Sequence, residues 1–419
     1  MAAPLSTACP LSAGHAEVKD RSNIVRAQGG LPHALDADVA PGLCYCAVDT
    51  RRKLELLADA SRHDLSCACG SGGIDDHRRR GADGLWLYPV SLPRGGSSIM
   101  LKTLLSNACV NDCRYCPLRS GRDTPRCALK PEELASLFME YARRGRVFGL
   151  FLSSGVVRDP DHTMDRMLAA ASLLRKKHRY RGYIHLKIIP GSSDAAIEES
   201  VRLASAVSLN VETPKASYFR VLSGKKDFER DIVRPIRLIS RLTAPGGPRR
   251  VKQTTQFVVG AAQEKDSEIL QATFGLYRRL GLSRVYFSAY QRGLGEPDLP
   301  GERAALSPQE LLTREHRLYQ ADFLLRRYKW DLRDIEFEPD GNLDLSVDPK
   351  QRWAQRHPEF FPVRLRSAEK EELLRVPGLG PLTVERIITA RRSGALRGLE
   401  EVGLRGERLK KAAAYVARD

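Results

Sequence analysis

The 419-residue sequence predicts an α/β fold, a partial (β/α)6 TIM-like barrel joined to a small all-α C-terminal domain. Three observations predict it. Short apolar runs alternate with helical segments between Ile99 and Ser288, the pattern of a parallel sheet covered on both faces. There are six such units, too few to close an eight-fold barrel but enough for an open one. From Ser367 onward the composition changes to short basic helices punctuated by glycine.

Residues 1–50 are rich in Ala, Gly, Pro and Ser without a sustained period and read as a poorly structured extension. Residues 51–98 form a helical and loop segment. Arg51–Ala60 has apolar residues at helical spacing, and Gly70–Gly84 is a loop of Gly, Asp and Arg. Residues 99–300 carry the barrel. Its expected strands are Ile99–Leu105, Val147–Ser154, Tyr183–Ile189, Ala206–Val211, Gln256–Val259 and Arg284–Ser288. The helices between them are expected at Pro131–Arg144, Met164–His178, Asp194–Ala204, Asp227–Leu242 and Ser267–Leu280. In such folds the chemistry sits at the C-terminal ends of the strands. Residues 301–366 are a helical connector, with a long helix over Pro308–Tyr328 and a Pro-, Asp- and aromatic-rich stretch over Leu343–Pro362. Residues 367–419 are the C-terminal domain.

Composition narrows the function. Hydrophobic residues at 42% and charged residues at 28% exclude a mainly disordered chain. Sixty-eight Lys and Arg against 51 Asp and Glu give a net charge of +17, which favours a polyanionic partner, nucleic acid first. No apolar run reaches the roughly eighteen residues of a membrane span. The N-terminus lacks a basic segment followed by an apolar core, so no secretory signal is expected. Nine unevenly spaced cysteines do not read as a disulfide framework. A reducing, cytoplasmic setting with metal-binding thiols fits them better.

The sharpest signal is Asn107-Ala-Cys109-Val-Asn-Asp-Cys113-Arg-Tyr115-Cys116, directly after the first apolar run. Three thiolates at this spacing converge from one loop, and thiolates are the usual ligands of iron–sulfur clusters. Three sulfurs on a cube leave one iron open to another ligand. A structural zinc site is the alternative, with Cys127 as fourth ligand, but the second paired motif of a zinc knuckle is missing. Cys44, Cys46, Cys67 and Cys69 form two Cys-x-Cys pairs and read more simply as structural thiols than as a second metal site.

The cysteine loop, with an aromatic residue before the last cysteine, resembles the radical S-adenosylmethionine superfamily. The resemblance implies a [4Fe–4S] cluster on Cys109, Cys113 and Cys116. Its open iron would chelate S-adenosylmethionine, and one-electron reduction would yield a 5′-deoxyadenosyl radical. It also implies cofactor contacts elsewhere. Ser153, Ser154 and Gly155, ending the second strand, are similar to the small-residue turn that meets the methionyl amino group. The tripeptide equally fits an ordinary strand-ending turn. Asn210 and Glu212, ending the fourth strand, alternate and so face one side, where they would bond ribose hydroxyls. They also fit a local turn before Pro214. Gly260, with Glu264 beyond it, is similar to a loose adenine-flanking motif after the fifth strand.

Glu371-Glu-Leu-Leu-Arg-Val-Pro-Gly378-Leu-Gly380-Pro-Leu-Thr-Val-Glu-Arg386-Ile-Ile resembles the helix–hairpin–helix motif. Its glycines permit a tight turn that exposes backbone N–H groups at a helix N-terminus, where phosphate is held without base readout. Gly378, Gly380, Arg386, Arg391 and Arg392 are the expected DNA contacts, and a degenerate second copy follows at Leu399–Val416. A helical hairpin used for protein contact is the alternative.

The order of these motifs, with Asp348-Pro-Lys-Gln-Arg-Trp353-Ala and His357-Pro-Glu359, resembles one group of radical S-adenosylmethionine proteins. That group is described as acting in DNA modification or repair and is linked to a uracil-DNA-glycosylase-like partner. The implied protein is an enzyme acting on DNA with the help of an electron donor and without a membrane. An RNA-modifying enzyme and a non-catalytic iron–sulfur or zinc DNA-binding protein are the competing readings.

Overall fold

The computed structural model describes residues 49–61, 79–80, 86–91, 97–246 and 251–417. The expected N-terminal extension, most of the 70–84 loop and the pairs Cys44/Cys46 and Cys67/Cys69 lie outside these residues.

Helix α1 (Thr50–Ala60) precedes a sheet of eight strands that neighbour one another in chain order. Strands β1 (Arg79–Arg80), β2 (Trp86–Ser91) and β3 (Ser97–Leu104) are antiparallel to one another. From β3 the pairing is parallel through β4 (Gly149–Ser153), β5 (Tyr183–Lys187), β6 (Ala206–Ser208), β7 (Lys252–Val259) and β8 (Arg284–Ala289). These six curl into a half-barrel. The β1–β2 edge was not expected from the sequence, which read this region as helix and loop.

The outer helices are α2 (Pro131–Arg143), α3 (Pro160–Ser172), α4 (Asp194–Leu203), α5 (Ala216–Leu222), α6 (Arg234–Leu242) and α7 (Asp266–Leu280). Helix α3 begins four residues before the first apolar position of its pattern. Pro160 is pre-set for a first helical turn, and the Asp159 carboxylate accepts the His162 N–H at 2.8 Å. Helix α5 is too short for its period to stand out in the sequence.

The outer face of the sheet is apolar. Leu150, Leu152, Ile184, Leu186, Phe257 and Phe287 are wholly buried against the helices. The alternate positions Ser153, His185, Lys187, Gln256 and Ser288 turn to the concave side. The expectation of a sheet covered on both faces meets helices on one side and, on the other, a lumen that mixes polar groups with Phe151 and Val258.

Helix α8 (Pro308–Phe323) starts in a capping box, with Ser307 N–H on the Glu310 carboxylate at 2.7 Å and Glu310 N–H on the Ser307 hydroxyl at 3.2 Å. A π-type turn, Leu324–Tyr328, continues it. The stretch read as an irregular connector contains α9 (Pro349–Arg356), capped by Asp348.

A second apolar cluster, from Val363 to Ala412, lies between α10 (Lys370–Arg375), α11 (Pro381–Arg392) and α12 (Gly406–Ala413). It is closed by the short parallel pair β9 (Val363–Arg364) and β10 (Val416–Ala417). This C-terminal unit is fastened to the connector by polar groups. Arg375 lies over the Trp330 and Trp353 rings at 4.1 and 4.5 Å and bonds Asp334 at 2.8 Å. Lys350, only 8% exposed, donates to the Leu379 carbonyl at 2.6 Å and stands 4.7 Å above the Tyr328 ring.

Burial pushes the Lys350 ammonium down to about 7; Asp348 opposes the shift, while Lys411, Arg375 and Arg408 add to it. Between that value and the ordinary 10.5 the unfolded chain binds the proton that the folded chain does not. Stability therefore rises with pH across that window and is flat in this group below it. Lys350→Met is expected to remove the rise, as measured by urea unfolding at pH 7 and pH 9.5. An undiminished rise in the variant would show that another group is responsible.

Candidate functional site

The cysteine loop leaves the C-terminal end of β3 and is clamped from three sides. Leu105 N–H bonds the Ser153 carbonyl at 2.8 Å, Gly155 N–H the Ser106 carbonyl at 2.7 Å and Val110 N–H the Val156 carbonyl at 2.8 Å. The guanidinium of Arg126 gathers four carbonyls of the loop, those of Asn107, Leu118, Arg119 and Arg122, at 2.6–3.1 Å. Asp112 reaches across to the segment after α5. It accepts from the Ser223 hydroxyl at 2.5 Å, Gly224 N–H at 2.9 Å and Lys225 N–H at 3.1 Å.

Each of the three sulfurs meets one donor. Val156 N–H points at Cys109 and Leu118 N–H at Cys116, both at 3.4 Å, and the Lys226 ammonium is 3.0 Å from Cys113. Burial pushes the Cys113 thiol up, against Lys226, and takes Cys116 up to about 12. Such thiols ionise at neutral pH when a metal takes the place of the proton. Cys127 stands apart. Its thiol faces the Lys53 carbonyl at 3.9 Å and does not line the cavity of the three cysteines.

Ser153, Ser154 and Gly155 border that cavity. Gly155 is required there by contact, since a Cβ on it would stand 2.2 Å from the Ala108 carbonyl oxygen. The Ser154 hydroxyl is turned to its own chain, donating to the Gly155 carbonyl at 2.7 Å.

Asn210 and Glu212 also reach the cavity, but not by strand alternation. Strand β6 ends at Ser208. The Thr255 hydroxyl then bridges the Leu209 carbonyl at 2.7 Å and Val211 N–H at 2.9 Å, holding the chain off β7. Glu212 rejoins the β7 backbone at Gln256 and Val258 with a left-handed φ of 62°. The Tyr115 hydroxyl donates to Glu212 Oε1 at 2.8 Å, and Asn210 also bonds the carboxylate. Oε2 is buried with no hydrogen-bond partner. Burial raises this carboxyl, and Lys187 and Lys226 pull against it.

Gly260 lies apart from the cavity lining. Its φ of 90° makes a turn whose N–H bonds the buried Glu264 carboxylate, and Arg314 of α8 bonds the Glu264 carbonyl at 2.6 Å. This turn ties β7 to α8.

Sequence reasoning missed Lys187, Lys226, Gln256 and Asp112. Lys187 carried a signal, a lysine in register with His185 within an apolar run. Lys226 carried none, because a loop 113 residues from Cys113 delivers it.

The donor set fits an iron–sulfur cube, with three sulfurs on one loop, one donor to each, and a buried carboxylate oxygen left over for a hydroxyl-bearing ligand. Residues 103–272 match the family model of the radical SAM superfamily. No curated protein sequence matches the chain.

Three solved structures resemble it in part. The FeFe-hydrogenase maturase HydG from Carboxydothermus hydrogenoformans is 16% identical over 52% of this chain and 49% of its own, with a TM-score of 0.39. Methylornithine synthase PylB is 14% identical over 54% and 61%, with a TM-score of 0.41. A radical SAM methyltransferase from Sphaerobacter thermophilus is 12% identical over 51% and 65%, with a TM-score of 0.35. The chain thus spans about half to two thirds of the length of these structures.

The matched stretch covers 170 of the 419 residues, and the family it matches uses a [4Fe–4S] cluster and S-adenosylmethionine as cofactors.

Two substitutions separate the contributions of the site. Gly155→Val drives a side chain into the Ala108 carbonyl, so iron bound per chain after anaerobic reconstitution should fall at least severalfold. Full iron in that variant would mean that the contact is dispensable. Glu212→Gln should keep the iron but weaken S-adenosylmethionine binding about tenfold, the value of one hydrogen bond to a charged acceptor. An unchanged calorimetric Kd would remove Glu212 from the cofactor site.

Proposed function

We propose that the protein is a radical SAM enzyme that modifies or repairs nucleic acid, with DNA the favoured substrate. The observation that carries this reading is the hairpin between α10 and α11. Gly378 turns the chain with a φ of 84°, and Gly380 caps α11 in extended geometry. First-turn N–H groups at a helix start are a phosphate site, and the net charge of +17 favours a polyanion.

The expected contacts divide. Arg386 and Arg392 are exposed on α11. Arg391 is turned inward, donating to the Ala368 carbonyl at 2.6 Å and to that of Leu365. It closes the C-terminal core and is withdrawn from the set of DNA contacts. Gly378 faces α12, where a Cβ would stand 2.6 Å from the Arg408 carbonyl, so it serves the fold of the turn.

At the barrel mouth Cys109, Cys113 and Cys116 would hold the cluster. Glu212, Asn210 and Tyr115 would hold the ribose hydroxyls of S-adenosylmethionine, with Ser153–Gly155 beside its methionyl end. Bound together, the two cofactors supply one-electron cleavage of the sulfonium and a radical that abstracts hydrogen. An external electron donor is required. The Tyr115–Glu212 bond keeps the carboxylate oriented in a water-poor pocket, and Lys187 and Gln256 on the cavity floor are the polar groups a substrate meets. A base in a duplex would have to be flipped out to reach them. A uracil-DNA-glycosylase-like partner belongs to the same reading.

The test is anaerobic turnover with reductant and S-adenosylmethionine in the presence of DNA, RNA or neither, followed by mass analysis of the nucleosides. A DNA nucleoside altered in mass is expected; an altered RNA alone would move the substrate, and no alteration in either would remove nucleic acid from the reaction. Gly380→Asp checks the hairpin separately. Asp is a favourable N-cap, so the fold is kept while a negative charge meets the phosphate. DNA affinity should drop about tenfold with iron content retained, and equal affinity would take the hairpin out of the argument.

A further inference from the structure

Four of the barrel helices carry acids in their first turn, and five carry bases in their last. The acids are Glu132 and Glu133 on α2, Asp161 on α3, Asp194 on α4, Asp266 and Glu268 on α7. The last turns of α2, α4, α5, α6 and α7 carry bases. Because each helix runs back against its strand, its first turn lies toward the cavity pole and its last turn toward the opposite one.

At that opposite pole two neighbouring turns are densely basic. Arg143 stands exposed before β4, and Lys176, Lys177, Arg179 and Arg181 stand exposed before β5. The turns touch through the Tyr180 hydroxyl and the Phe148 carbonyl at 2.7 Å. No Asp or Glu occurs in 143–148 or 176–183. Helix dipoles account for bases in a last turn. They do not account for Arg179 and Arg181, which lie beyond the helix in the connecting turn.

The hairpin lies toward this same pole. Helix α8 runs against β8: Glu315 meets Ala289 N–H at 2.6 Å, Tyr319 meets Phe287 N–H at 3.0 Å, and Asp322 stands 3.8 Å from Arg284 at the strand's start. Tyr328, past that point, donates to the Leu379 carbonyl in the hairpin turn at 3.4 Å. Arg327 and Lys329 flank it, both exposed. Across the pole, β5 is three strand spacings from β8, about 14 Å, and α8 adds a layer of about 10 Å.

We propose that the basic pole and the hairpin turn act together as a docking face for a nucleic-acid backbone, at the end of the barrel opposite the cavity. This rests on the nucleic-acid reading above. The face spans about 25 Å, roughly seven base pairs at 3.4 Å each. Helix α8 and its continuation, 16 and 5 residues long, run about 30 Å from the mouth to the hairpin. The nucleotide that reacts is therefore not the one the face grips. It comes from a stretch of the same strand that leaves the face and passes round to the mouth.

The test is fluorescence anisotropy with a labelled 25-base-pair duplex, titrated from 50 to 300 mM salt, on the full-length holoenzyme. The variants are the fourfold reversal Lys176→Glu, Lys177→Glu, Arg179→Glu and Arg181→Glu, and the separate Gly380→Asp. All four reversed residues are exposed, and a thermal midpoint within a few degrees of the parent reports an intact fold. The reversal should weaken binding at least tenfold and flatten the slope of log K against log salt by about 3. If the reversal leaves affinity and slope unchanged while Gly380→Asp weakens binding, the docking face is overturned and the nucleic-acid reading stands. If the parent protein binds no duplex but binds phosphatidylserine vesicles, both are overturned.

Discussion

Three thiols, one buried and two half-buried, beside a buried carboxylate are an unfavourable group of neighbours, and the mouth of this barrel is built to hold them. The loop that carries the thiols has no regular structure of its own, so its backbone groups need partners elsewhere. They find them on the turn after β4, on the Arg126 guanidinium and, through Asp112, on the segment after α5. Only glycine at position 155 lets the first of these contacts close. The same contacts that order the loop bring a donor to each sulfur. Binding exchanges protons for metal at these sulfurs.

Much of the barrel was readable in advance because buried parallel strands must be apolar and the helices that cover them must repeat near 3.6. Tyr183–Lys187, Asp194–Leu203 and Arg284–Ala289 lie within a residue or two of their expected ends. The β6 segment did not. Alternation made Asn210 and Glu212 a strand pair, whereas a bulge held by the Thr255 hydroxyl turns them to the cavity. The outcome agrees with the expectation and the cause does not. A side-chain hydroxyl substituting for a ladder bond leaves no periodic trace.

The C-terminal unit shows a different limit. Its glycines were legible as a hairpin, and Gly378 is indeed in the left-handed region. Which arginines face outward was not. Arg391 and Arg392 are adjacent and chemically identical, yet one closes a core by bonding carbonyls and the other stands in solvent. The attachment of this unit beyond the end of α8, through Tyr328, Arg375 and Lys350, sets its distance from the mouth. Under the proposed function, that distance separates the place that would grip a polyanion from the place where hydrogen would be abstracted.

By itself the sequence determined what short-range chemistry can encode: a three-cysteine loop after an apolar strand, the strand–helix rhythm, a glycine turn between two small helices, and a positive net charge. Tertiary structure alone decided which distant groups meet those motifs. It brought Lys226 to Cys113, left one oxygen of Glu212 without a partner and turned Arg391 inward. Spacing along the chain fixes neighbours only within a turn or a strand, whereas burial and electrostatics act between residues a hundred positions apart once the chain has closed on itself.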